Sequence, residues 1–163
     1  MGHVSSPANT GGIKNIPNAY STYKYAGKAA SLPFSVPTPY DFETVARINK
    51  ERAKVGLLAL ALDLRLCEAA NAKAQDMINA GYFDHRSPVL GLPDDMLNAF
   101  GIKFLYMGEN IDRGAKTPEA VVASWMNSKT HRDIILSEKY KKIGVARLLN
   151  NDGGVCWVTE FTD

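Results

Sequence analysis

Two apolar segments lie near the end of the chain and are separated by a strong turn signal. The segments Lys142 to Leu149 and Val155 to Phe161 are rich in Val, Ile, Leu and aromatic residues, as β-strands are. Between them lies Asn150-Asn151-Asp152-Gly153-Gly154, whose residue types accept the left-handed backbone angles of tight turns. The pattern predicts an antiparallel hairpin, so the C-terminal part of the chain must belong to a β-sheet.

Two helices are predicted well before this hairpin. Apolar residues at helical spacing predict the first over about residues 41–55, and Gly56 stands where a left-handed cap is expected. The second is predicted to begin after Asp63, a good N-cap, and to end at Gly81. Its many alanines favour a helix and allow a neighbouring element to approach closely.

Proline marks the start of two further helices. Pro93 suits the first helical position of a short helix over about 93–100, and Thr117-Pro118-Glu119 repeats that signal. The helix after Pro118 should bury Trp125 on its apolar face. Phe104 to Met107 is a weaker strand candidate. Because helices come first and strands follow, the chain is predicted to be an α+β domain with helices packed on a mostly antiparallel sheet.

The composition of the chain narrows the class of protein. A length of 163 residues suits one domain, and a net charge of +2 gives no concentrated basic face for nucleic acid. The longest apolar run, Val55 to Leu62, is far shorter than the roughly 20 residues of a transmembrane helix. The first residues lack the apolar core of a signal peptide, so we expect a protein that is intracellular or already trimmed.

The first 38 residues differ in composition from the rest. They are rich in Gly, Ser, Asn, Thr, Ala and Pro without periodicity, so we predict a flexible arm over 1–38 and a compact domain over 39–163. The arm carries Tyr20, Tyr23 and Tyr25, which could pack on the domain, contact a partner or remain solvated. His3 is assigned no role.

Three ionisable side chains, each more than 20 residues from the next, stand among turn formers and apolar anchors. They are His85 in Tyr82-Phe83-Asp84-His85-Arg86-Ser87-Pro88, Glu109 in Gly108-Glu109-Asn110-Ile111, and His131 in His131-Arg132. If the fold brings them together, they form a polar cleft able to hold a cation or move a proton. Each also has a structural interpretation: a histidine bonded to a backbone carbonyl, a carboxylate that braces a loop, and a capping or surface histidine.

The two cysteines, Cys67 and Cys156, fit either one disulfide or two buried thiols. A disulfide would close a loop of about 90 residues, which the chain-entropy model values at roughly 4 to 5 kcal/mol. Neither cysteine lies in a CxxC motif, so a cysteine-rich metal site is not expected.

From about Asp41 onward the chain resembles the bacterial branch of the CAP superfamily, named for cysteine-rich secretory proteins, antigen five and plant pathogenesis-related proteins. Besides the three segments above, it carries four further motifs in family order. These are Ile48-Asn49-Lys50-Glu51-Arg52, Ala72-Lys73-Ala74-Gln75-Asp76-Met77, Trp125-Met126-Asn127-Ser128 and Ile143-Gly144-Val145. The resemblance implies an α-β-α sandwich.

The resemblance also implies a large cleft lined by His85, His131 and Glu109. A second glutamate of the fuller family site would fall at Ser128. Two imidazoles and one carboxylate can hold zinc with an open coordination position, so His85, His131 and Glu109 are the implied metal ligands.

Two positions near the second histidine depart from the family pattern: Thr130, where the family has Gly, and Ile134, where it has Asn.

Three functions are weighed on this basis. The resemblance favours a secreted or cell-envelope module without enzymatic activity that binds a lipid, a small molecule, a glycan or a protein. The alternative is a zinc-dependent, protease-like hydrolase using His85, Glu109 and His131, which lacks a second carboxylate as general base. A serine hydrolase using Ser87 or Ser128 has no GxSxG elbow to support it.

Overall fold

A five-stranded sheet with helices on both faces forms the body of the molecule. The computed structural model describes residues 2–5, 23–25, 28–30, 36–150 and 152–163. In chain order its elements are β1 (Gly2–Ser5), β2 (Tyr23–Tyr25), β3 (Lys28–Ala30), α1 (Pro39–Lys54), β4 (Ala61–Leu62), α2 (Leu64–Ala80), α3 (Pro93–Ala99), β5 (Met107–Arg113), α4 (Pro118–Asn127), α5 (Lys129–Ile135), β6 (Lys142–Leu149) and β7 (Val155–Thr162).

The sheet runs in the order β1-β5-β7-β6-β4. All neighbours are antiparallel except β4 and β6, so the predicted mostly antiparallel sheet is confirmed. The predicted hairpin is formed by β6 and β7, and its turn is held by the Asn150 side chain, which accepts the amide of Gly154 at 2.5 Å. Gly153 takes a left-handed φ of 76° in this turn, whereas Asn151 lies outside the described residues.

One face of the sheet is covered by α2, with α3 beside it. The predicted caps of α2 are confirmed, because the Asp63 carboxylate accepts the amides of Arg65 and Leu66, and Gly81 is left-handed at the C-terminus. The helix packs so closely that a Cβ added to Gly144 on β6 would overlap its backbone. Small residues on both elements make this approach possible.

The opposite face carries α1, α4 and α5. Trp125 on α4 is fully buried with Trp157 and Phe161 of β7, as predicted for that helix. Arg52 of α1 is also buried, and its guanidinium donates to the carbonyl of Ile135, the last residue of α5, and to that of Ser137 just after it. Helices therefore lie on both sides of the sheet, and the α-β-α sandwich is confirmed.

One prediction about strands requires correction. The strand expected at 104–107 lies instead at Met107–Arg113, across the Gly108-Glu109-Asn110 segment with its turn-forming residues. Within the arm predicted over 1–38, β1 joins the main sheet and β2 pairs with β3. Tyr20 lies outside the described residues, as does most of the arm.

Candidate functional site

The structure joins two of the three predicted site residues. His85 Nδ1 lies 2.5 Å from Glu109 Oε1; the Glu109 side chain is fully buried, whereas the His85 side chain is partly buried. A contact this short between an imidazole nitrogen and a carboxylate is a strong, charge-assisted hydrogen bond. Because Nδ1 is engaged by Glu109, Nε2 is the ring atom left to meet another group.

The position of Glu109 follows from the strand that carries it. Successive side chains of a strand point to opposite faces of a sheet. Met107 and Ile111 on β5 pack in the clusters under α2, which sets Glu109 on that same face. Gly108 and Asn110 point the other way, toward α5.

A second buried carboxyl group stands directly beside Glu109. Glu160 on β7 is its cross-strand partner, and both residues are 0% exposed. Burial, followed by the charge of Glu109, raises the pKa of Glu160 well above its ordinary value. Glu160 therefore favours its protonated form, which relieves the repulsion between two adjacent carboxylates.

Lys73, in the middle of α2, holds the loop that carries His85. Its Nζ donates to the backbone carbonyl of His85 at 2.7 Å and to the hydroxyl of Tyr82 at 3.2 Å. Burial lowers the pKa of Lys73, against the carboxylates of Glu109 and Glu160, which raise it. The lysine is therefore the buried cation of this group and a positioning residue for His85.

Asp76, one turn further along α2, fixes the same loop from its other side. It accepts hydrogen bonds from the hydroxyls of Tyr82 and Ser87, the latter at 2.6 Å. The Ser87 hydroxyl oxygen also accepts the amides of Val89 and Leu90. Ser87 is thus committed to the turn, and these contacts give no support to its use as a nucleophile.

An unexpected residue completes the surroundings of His85. β1 runs antiparallel to β5 with His3 opposite Glu109, and the rings of His3 and His85 lie 5.7 Å apart between centroids. Burial, and then His85, lower the pKa of His3, against the carboxylates of Glu109 and Asp94. His3 lies beside the His85–Glu109 pair, although sequence reasoning assigned it no role.

The other predicted cleft residues lie around α5. The backbone carbonyl of His131 accepts the side-chain amide of Asn110 at 3.2 Å, on the face of β5 away from Glu109. Ser128 is the N-cap of α5, and its hydroxyl lies 3.1 Å from that of Thr130. His131 and Ser128 thus belong to α5 and its N-cap, whereas His85 and Glu109 come from the loop after α2 and from β5.

The implied zinc ligands can be compared with this arrangement. Among the residues that the structure describes, no three His, Cys, Asp or Glu side chains are grouped closely enough to hold a metal ion. As they are placed, these side chains do not form a zinc site. Zinc titration tests the implied ligand set directly.

Cys67 and Cys156 are free, buried thiols in this structure. Cys67 lies near Gly144 of β6, whereas Cys156 pairs with Leu148, four residues further along that strand. Four strand residues span about 13 Å, beyond the reach of a disulfide. Burial raises the pKa of each thiol to about 11.

Four members of this group were missed as site residues: His3, Lys73, Asp76 and Glu160. Lys73 and Asp76 interrupt the small, apolar face of α2, and Glu160 interrupts the apolar strand β7. A charged residue within a buried pattern is the signal that could have found these three, since such groups are rarely buried without partners. His3 had no such signal.

These layers and this histidine–carboxylate pair define an α-β-α sandwich domain with a polar group beside one strand of its sheet. A model of the cysteine-rich secretory protein family, CAP, matches residues 45–161, and the chain belongs to this family. The chain is 43% identical over 143 residues to the uncharacterized protein YkwD of Bacillus subtilis, covering 88% of this chain and 54% of YkwD. It thus spans about half of that relative.

Two solved structures share the fold. An extracellular protein of Bacillus anthracis with an SCP domain matches with a TM-score of 0.66 and 29% identity, over 78% of this chain and 45% of its own. An outer surface protein of Borrelia burgdorferi matches with a TM-score of 0.72 and 23% identity, over 78% of this chain and 96% of its own. Within the described residues, every helix is too short or too polar to cross a membrane.

Proposed function

We propose that this chain is a binding module of the extracellular space or cell envelope, without enzymatic activity, whose cleft beside His85 and Glu109 holds a ligand. The pairing of His85 with Glu109 carries the proposal. Glu109 is buried, paired with an imidazole and flanked by Glu160, so it serves to fix the His85 ring. His85 Nε2 is buried and makes no hydrogen bond within the described part of the chain, which suits it to meet a ligand.

The same pairing weighs against the zinc-hydrolase alternative. A general base must be free to take a proton from water within hydrogen-bond reach. Glu109 already holds His85, and Glu160 is buried behind it with a raised pKa. The extracellular location is supported by two relatives of the fold, one described as an extracellular protein and one as an outer surface protein.

A ligand panel tests the binding function. Fatty acids, oligosaccharides and short peptides are added separately to the full chain, and bound species are detected by native mass spectrometry. His85→Gln, which keeps a polar side chain, is the cleft variant, and Glu138→Gln on the exposed surface is its matched control. We expect at least one ligand class to be retained by wild type and the control and lost by His85→Gln. Retention of nothing, or equal retention by all three proteins, would refute the proposal.

Zinc titration distinguishes the zinc-hydrolase alternative from the proposed binding function. Calorimetry near neutral pH should show no saturable heat at micromolar zinc, because the described side chains offer no three-ligand group. One-site binding that disappears in His85→Gln would favour the hydrolase. In that case peptide and ester substrates, compared between wild type and Glu109→Gln, would show whether catalysis follows.

A further inference from the structure

β1 occupies the outer edge of β5, immediately beside the His85–Glu109 pair. It pairs with four of the seven residues of β5, from Met107 to Asn110. In the sheet order β5 separates β1 from β7, so without β1 the backbone of β5 would be an open edge. Such edges are templates for pairing with an added extended segment.

The connection of β1 to the domain is long. More than thirty residues lie between Ser5 and the start of α1 at Pro39. Because the segment is so far from α1 in sequence, its place in the sheet depends on its own contacts with β5 and on the local concentration that the covalent connection gives. A separate peptide with the same backbone can therefore compete for the same edge.

The position opposite Asn110 on the edge of β5 has room only for a glycine. Gly2 occupies it, and a Cβ added there would lie 3.0 Å from the backbone carbon and oxygen of Thr130 and 3.1 Å from Ile134 Cδ1. Helical backbone at Thr130 has little freedom to move away.

The next position favours a side chain that donates hydrogen bonds. His3 lies there, opposite Glu109 and beside the ring of His85. Asp94 Oδ1 is buried and accepts no hydrogen bond within the described residues. The negative charge of Asp94 acts to raise the pKa of His3. Acidic groups on two sides of the position make a neutral hydrogen-bond donor the complementary side chain.

We propose that the β5 edge is a binding site for an extended peptide that pairs antiparallel with residues 107–110, with glycine opposite Asn110 and a hydrogen-bond donor opposite Glu109. β1 is the tethered occupant of this site. The inference rests on the function proposed above and names its ligand class. A partner would bind by displacing β1 and adding its own strand to the sheet.

A fluorescent peptide with the sequence of residues 1–8 tests the proposal by anisotropy. The acceptors are the full chain, its Gly2→Val variant, which should release β1, and Val4→Ala, a matched control at an exposed position of the same strand. We expect Gly2→Val to bind the peptide at least about tenfold more tightly than wild type, because a site occupied nine-tenths of the time loses that factor in apparent affinity. Val4→Ala should behave as wild type does.

The same substitution placed in the peptide should have the opposite effect. A peptide with valine in place of its glycine should bind the Gly2→Val chain at least about tenfold more weakly than the glycine peptide, because it carries the clash itself. Amide hydrogen exchange gives a second measurement: residues 107–110 should exchange faster in Gly2→Val and regain protection when the glycine peptide is added.

Three results would overturn the inference: no peptide binding to Gly2→Val at millimolar concentration, equal binding of the glycine and valine peptides, or equal affinity of wild type and Gly2→Val. The ligand panel shows whether the peptide inference fails alone or whether the proposed binding function fails with it. If a fatty acid or oligosaccharide is retained through His85 while the peptide does not bind, the peptide inference falls and the binding function stands. If no ligand binds, both fall.

Discussion

Lys73 Nζ donates a hydrogen bond to the backbone carbonyl of His85 at 2.7 Å, although Lys73 is only 1% exposed. A buried ammonium group is costly unless its hydrogen bonds and charge are matched. The carbonyl of His85, the hydroxyl of Tyr82 and the nearby carboxylates of Glu109 and Glu160 supply that match. The helix thus carries the cation that holds the histidine loop against the sheet.

Replacing Lys73 should loosen this loop. Lys73→Met keeps a long side chain but leaves the His85 carbonyl without its donor, so we expect the free energy of unfolding to fall by about 1–3 kcal/mol. Amide exchange over residues 82–91 should become faster than in wild type. Lys50→Met, an exposed lysine on α1, is the matched control and should change neither quantity. Unchanged exchange of the loop in Lys73→Met would show that the lysine does not position His85.

Glu160 should make stability depend on pH in a defined direction. Its pKa is raised in the folded protein, chiefly by burial. Below the pKa of the unfolded chain, Glu160 is protonated in both states and its contribution is fully present. As the pH rises, the unfolded chain ionises while the folded protein keeps its proton, so stability is lost until the folded pKa is passed.

The variant Glu160→Gln isolates this effect, because it keeps the shape and cannot ionise. The unfolding free energy of wild type minus that of the variant should fall as the pH rises above about 4, where a free glutamate ionises, by up to roughly 1.4 kcal/mol per pH unit. Urea unfolding at several pH values measures the difference. Glu138→Gln, at an exposed position, should show no comparable trend. A difference that rises with pH would contradict the assignment of a raised pKa.

The cysteines should behave as inert, buried thiols. Cys67 and Cys156 are free and buried, and the pKa of each is raised to about 11 by burial. Because the thiolate is the reactive form, we expect negligible alkylation by iodoacetamide in the native protein near neutral pH and complete alkylation after unfolding. Intact mass under non-reducing conditions is the check. A mass lower by two hydrogens, with no alkylation after unfolding, would show that the pair is oxidised.

The helices of this protein could be predicted from local chemistry. Asp63 caps α2 through its side chain, Gly81 ends it in a left-handed conformation, and Thr117-Pro118 opens α4 as expected. Each signal acts within a few residues and does not depend on the rest of the fold. The same is true of the turn between β6 and β7, where Asn150 binds the amide of Gly154.

β5 and the full composition of the site could not be predicted in this way. A glutamate between Gly108 and Asn110 hides the strand pattern, because its burial is tolerated only through His85 and Lys73, which come from distant parts of the chain. The pairing of Glu109 with Glu160 depends on strand register, which no local signal encodes. The resemblance placed the second carboxylate at Ser128, whereas the cross-strand carboxyl group beside Glu109 is Glu160.

The most direct test of the binding function follows the imidazole of His85 by nuclear magnetic resonance. Its ring signals, assigned by comparison with His85→Gln, are recorded in the full chain while fatty acids, oligosaccharides and peptides are added one class at a time. We expect a saturable shift of the His85 signals with at least one class, because Nε2 faces the proposed ligand site while Nδ1 stays bonded to Glu109. If a ligand binds the protein tightly and leaves the His85 signals unmoved, the cleft beside His85 and Glu109 is not the binding site.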